Sequence, residues 1–107
     1  MLVLNGDNFA AEVTQSPQPV IVDLWGPRCG PCLALLPQVE SMAEEYAGKI
    51  KFGKINTVEN RRLCINLKVM GVPTFLFYQR GELKERLTGE QVTLEAIRAG
   101  ARRLLAE

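Results

Sequence analysis

Two cysteines separated by two residues, in the stretch "WGPRCGPCLALLP" at 25–37, are the residues of this chain best suited to chemistry. Cys29 falls where a β-branched apolar run, "VIVDLW" at 20–25, gives way to helical periodicity from Gly30. Unpaired backbone N–H groups and the positive end of a helix dipole meet at such a junction, and both stabilise an anion. A thiol there, ordinarily with a pKa of about 8.5, becomes partly thiolate near neutral pH, and the thiolate is the attacking form. Cys32 lies one helical turn further in, near enough to close a small disulfide ring and more sheltered. The pair can therefore run a two-step exchange, in which Cys29 attacks a substrate disulfide and Cys32 then attacks Cys29 and releases the reduced substrate. Gly30 and Pro31 restrict the backbone between the two sulfurs and hold the ring geometry.

Two blander readings compete. A zinc site needs four ligands, and beyond this pair only Cys64 remains, with no histidine in the chain. A purely structural crosslink over so short a loop adds little stability. Redox exchange is the better reading of a C-x-x-C motif inside a strand–helix–strand pattern. Cys64, beside Leu63 and near Leu67 on one short helix, is expected to be a buried, inert thiol; the sharper alternative is a regulatory surface thiol.

The elements that must position the pair are legible in the apolar pattern. With 107 residues, 47% hydrophobic and 23% charged, the chain reads as one soluble globular domain over 1–107. "LVL" at 2–4 suits a short strand, followed by a helix capped by Asp7 with Phe9 and Val13 on one face. The run 20–25 suits a strand buried on both faces of a sheet. From Gly30, a stripe of Cys32, Leu35, Leu36, Val39, Met42, Ala43 and Tyr46 predicts a helix stopping near Gly48, with Pro37 kinking it. Residues 50–55 read as a strand, 60–67 as a short helix, and 73–88 as a hairpin turning at 79–82 with a charged outer strand. A last helix opens at Thr93 and turns Leu94, Ile97, Ala101, Leu104 and Leu105 inward. The order predicts an α/β fold, a mixed central sheet with helices on both faces.

Thirteen Lys+Arg against twelve Asp+Glu leave a formal charge of +1, which offers no field for gathering nucleic acid or an anionic membrane surface. The opening residues "MLVLNGDNF" lack the apolar core and basic residues of a targeting segment, so a cytoplasmic monomer is expected.

"VDLWGPRCGPC", Pro37, "GVPTF" at 71–75, "RGE" at 80–82 and Gly89, in that order and spacing, resemble the thioredoxin family over nearly the whole chain. The resemblance implies the thioredoxin fold and a thiol–disulfide oxidoreductase that reduces protein disulfides. It also implies recharging by a thioredoxin reductase or similar electron donor, with no metal or organic cofactor. Asp23, an expensive residue inside a buried strand, matches the family carboxylate that relays protons for the second cysteine, and desolvation should raise its pKa. Lys54 matches the family lysine near that carboxylate. Pro73 matches the family's cis-proline facing the cysteine pair, although sequence alone favours trans. Such a turn would leave the Val72 backbone free to bond an extended substrate as an added strand. Trp25, Gly71, Val72 and Gly89 would rim an apolar groove, with simple core packing as the alternative for Trp25.

Two positions depart from the family pattern: Arg28 stands where Trp is usual, and Leu33 where a basic residue is usual. A guanidinium beside Cys29 should stabilise its thiolate, shift the couple toward oxidising potentials and alter partner choice. The rival functions are an extracytoplasmic disulfide oxidase or isomerase, and a non-catalytic binding module that uses the groove alone.

Overall fold

Five strands form one mixed sheet in the order β1-β3-β2-β4-β5, in a computed structural model that describes all 107 residues. The strands are β1 (Leu2–Val3), β2 (Val20–Trp25), β3 (Lys51–Asn56), β4 (Thr74–Gln79) and β5 (Glu82–Thr88). β3 runs parallel to β1 and β2, whereas β4 is antiparallel to both β2 and β5. The helices are α1 (Gly30–Glu45), α2 (Arg61–Asn66) and α3 (Leu94–Ala106). No helix is long and apolar enough to cross a membrane.

Period-2 alternation divides the sheet into two apolar faces. On one, Ile21, Phe52, Phe75 and Phe77 pack with Val39 and Met42 of α1 and Ile97, Ala101 and Leu104 of α3. On the other, Val22, Leu24, Ile55 and Leu76 pack with Phe9, Val13 and Cys64 of α2. β2 lies between β3 and β4 and is buried along five of its six residues. A continuous β-branched run is therefore needed, and the one charge within it is set in the protein interior.

Local chemistry closes each element. The Thr93 hydroxyl caps α3 by accepting the Ala96 amide at 3.0 Å. In the hairpin, Arg80 (φ 50°) and Gly81 (φ 79°) are both left-handed, as a two-residue loop that matches strand twist requires. Buried Gln79 donates to the Leu104 carbonyl at 2.9 Å and ties β4 to the end of α3.

Three expectations change. Residues 10–14 form one wide π-turn whose N-cap is Phe9, so Asp7 does not cap it; the Asn5 side chain accepts the Asp7 and Asn8 amides and organises the corner before it. α1 includes Pro37 and ends at Glu45, before Gly48. Gly48 (φ 85°) belongs to the following turn, where the Lys49 and Ile50 amides both reach the Tyr46 carbonyl. Leu105 is exposed on α3, one position round from the Leu104 stripe.

Candidate active site

Cys29 and Cys32 are joined as a disulfide with Cα atoms 5.3 Å apart. Cys29 is the N-cap of α1: its backbone is extended, and its Sγ accepts the Cys32 amide at 3.2 Å. Pro31 fills the first turn, where a missing N–H costs nothing. The helix start thus directs a free N–H and its dipole at one particular sulfur. Cys29 is half-buried while Cys32 is only 4% exposed, so the reachable sulfur is the one that the helix stabilises as an anion.

Asp23 shares its sheet face with Ile21, the face that α1 covers, and is 3% exposed. It pairs across the ladder with Lys54 on β3 and Phe75 on β4. Burial pushes its carboxyl from 3.8 up to about 7, and the Lys54 charge acts in the opposite direction but more weakly. A carboxyl so held exchanges its proton near neutral pH.

The Val72–Pro73 peptide bond is cis. Pro73 is buried, its carbonyl accepts the Gly89 amide at 3.0 Å, and the Thr74 hydroxyl donates to the Gly71 carbonyl at 2.7 Å. Gly71, Pro73 and Gly89 are thereby fixed together. Val72 is half-buried, and its own N–H and C=O take no part in backbone hydrogen bonding. It faces the cysteine loop: a Cβ placed on Gly26 would lie 3.7 Å from the Val72 side chain and 3.9 Å from the Cys29 Cβ.

Between them lies a cleft of about 590 Å³ lined by Gly26, Pro27, Arg28, Cys29, Thr57, Val58 and Val72. Arg28 is exposed at its edge. Trp25 is half-buried and lines no cleft; its carbonyl accepts the Thr57 amide and hydroxyl, which sets Thr57 into the wall. Gly71 and Gly89 line neighbouring depressions that share Val72. Thr57, Val58, Arg61, Ile65 and Met70 were not singled out by sequence reasoning. For Val58, Ile65 and Met70 the one signal is an apolar residue left exposed, as for Ile65 out of phase with Leu63 and Leu67; Thr57 and Arg61 carry none. Cys64 is buried, and burial pushes its thiol up.

A family model described as Thioredoxin matches residues 1–103. A thioredoxin of Peptoclostridium acidaminophilum is 40% identical over 99 residues, covering 92% of this chain and 90% of the relative. The chain belongs to the thioredoxin family. Another thioredoxin, of Acetoanaerobium sticklandii, is 38% identical over 99 residues, 92% of this chain and 94% of its own length. The chain is also 40% identical over 87 residues to the chloroplastic M-type thioredoxin of Pisum sativum, 81% of this chain and 51% of that protein. With a C-x-x-C pair at disulfide distance, this family member is a thiol–disulfide oxidoreductase.

Proposed function

We propose that the chain reduces disulfides of other proteins by cycling Cys29 and Cys32 between dithiol and disulfide, with Asp23 as the proton acceptor. The observation that carries this reading is the asymmetry of the pair: Cys29 accessible and capped by the Cys32 amide, Cys32 buried behind it. Cys29 thiolate attacks one sulfur of the substrate disulfide. A Cys29–substrate bond forms, the substrate S–S bond breaks, and the departing thiolate takes a proton. The Cys32 thiol then gives its proton to the Asp23 carboxylate and attacks the Cys29 sulfur. The mixed disulfide breaks, the Cys29–Cys32 bond forms, and the second substrate sulfur leaves as a thiolate that takes a proton from water; two electrons have passed from the dithiol to the substrate.

Asp23 suits its part because a carboxyl near 7 is partly ionised at working pH, so it can take the Cys32 proton and release it afterwards. Lys54 opposes the burial and keeps that value from rising further. The unpaired Val72 backbone supports docking of an extended segment as a short added strand beside Cys29. Gly71, Pro73 and Gly89 hold that backbone in place, and Arg28 borders the approach. A reductase returns the disulfide to the dithiol. A reducing, cytoplasmic setting is supported by a single exchangeable pair with one further buried thiol, in place of a dense disulfide framework.

The test is a trap. Reduced Cys32→Ser, mixed with a disulfide-bonded protein, should accumulate a stable mixed disulfide on Cys29, seen as an intact-mass adduct that dithiothreitol removes. An adduct on Cys64, or none, would refute the assignment.

A further inference from the structure

Val72 is shared by three clefts, and the charged residues lining them are all cations: Arg28 beside Cys29, Arg61 on the α2 side, and Lys68 and Arg86 toward Gly89. None of the four belongs to an ion pair of the fold. Glu59, the acidic neighbour of Val58 in the chain, lines none of the clefts. The chain as a whole carries only +1, so positive charge is gathered around the reactive sulfur and offset elsewhere. Arg86 is held by its own donations to the Leu67 and Lys68 carbonyls and contributes mainly field. On the same face, Met70 is 99% exposed, Ile65 74% and Val58 58%. Such apolar side chains in water, rimmed by charge, mark an interaction surface.

We propose that this face selects substrate proteins whose reacting disulfide lies in an extended segment, with carboxylate side chains flanking the cysteine and an apolar residue to cover Met70. The inference rests on the exchange site proposed above and names the chemistry of its substrate. A segment paired to the Val72 backbone has Arg28 and Cys29 on one side and Arg61, Ile65 and Met70 on the other. Carboxylates there meet unpaired guanidinium groups, which raise the encounter rate and fix register more than they raise affinity. A basic segment meets repulsion on both flanks.

The test uses three disulfide-linked peptides, identical except that the cysteine is flanked by Glu, Gln or Lys. Each second-order rate constant with the reduced protein is divided by that for uncharged dithiothreitol, which removes the effect of the flanks on intrinsic sulfur reactivity. Two exposed ion pairs, each giving about a threefold effect, predict a Glu-over-Gln preference of about tenfold at low salt, with Lys slower than Gln. In 0.5 M NaCl the preference should fall toward unity. The double variant Arg28→Gln/Arg61→Gln should lose most of it. Equal normalised rates, a Lys preference, or a preference that survives in the double variant would overturn the proposal. Uncharged hydroxyethyl disulfide, run with the unaltered protein, tells the two levels apart. If it is reduced while the peptides are not discriminated, the docking inference alone falls; if it is not reduced, the exchange reading falls and takes the inference with it.

Discussion

Replacing Asp23 with Asn should make the oxidised protein more stable at pH 8 while slowing its chemistry. The side chain is 3% exposed, and its carboxyl is raised from 3.8 to about 7 by burial. At about 1.4 kcal/mol for each pH unit, the fold disfavours the charged carboxylate by roughly 4 kcal/mol. The folded value lies above the unfolded one, so the folded state holds the proton more tightly. Stability from this group is complete below about pH 4, declines as pH rises from about 4 to about 7, and is flat above that. Asn carries no charge to bury, although its amide still costs something to desolvate. The expected gain for Asp23→Asn is about 2–4 kcal/mol at pH 8 and much less at pH 4, or roughly 10 °C in Tm at the higher pH. Urea unfolding of both oxidised proteins from pH 4 to 8 measures it, and their difference cancels the other carboxylates. Parallel curves for the two proteins would refute the assigned burial penalty. In single-turnover reduction, release of substrate from the mixed disulfide should speed up as pH rises through about 7 in the parent and lose that step in the variant.

Arg28→Gln should move the midpoint potential toward more reducing values by about 5–20 mV, since an exposed pair is worth about 0.2–1 kcal/mol and about 30 mV corresponds to 1.4 kcal/mol. Equilibration against glutathione buffers reads the change, and an unaltered midpoint would remove the electrostatic role of Arg28. Gly100→Ala should destabilise by about 1–2 kcal/mol, overpacking outweighing the better helix propensity of Ala. A Cβ there would lie 2.5, 2.9 and 3.0 Å from three atoms of the buried Phe77 ring; a stability unchanged in urea would show that the ring yields freely.

What could be read from the sequence was what depends on neighbours along the chain. "VIVDLW" is legible as a buried strand because both of its faces are covered, which removes polar alternation. The hairpin is legible because Arg80-Gly81 can supply two left-handed residues between alternating runs. The cysteine pair is legible because the strand-to-helix switch falls on Cys29. The first turn is not legible in this way, because the Asn5 and Asn8 side chains, and not Asp7, accept the amides that shape this corner. Most of the docking face is not legible because Thr57, Arg61 and Met70 come from just after β3, from α2 and from the loop before β4, and only the fold brings them around Val72. Trp25 shows the converse: the motif draws attention to its ring, whereas the structure uses its carbonyl to set Thr57.

The central claim is that Cys29 and Cys32 form one reversible two-electron couple. It is tested most directly by equilibrating the protein in a series of thiol–disulfide buffers, quenching with an alkylating reagent and reading the fraction oxidised by intact mass. The account predicts a single transition between a species alkylated at both cysteines and one alkylated at neither, fitted by a two-electron curve, with Cys64 unchanged throughout. A transition dominated by singly alkylated or buffer-adducted protein, or no reversible transition, would contradict it.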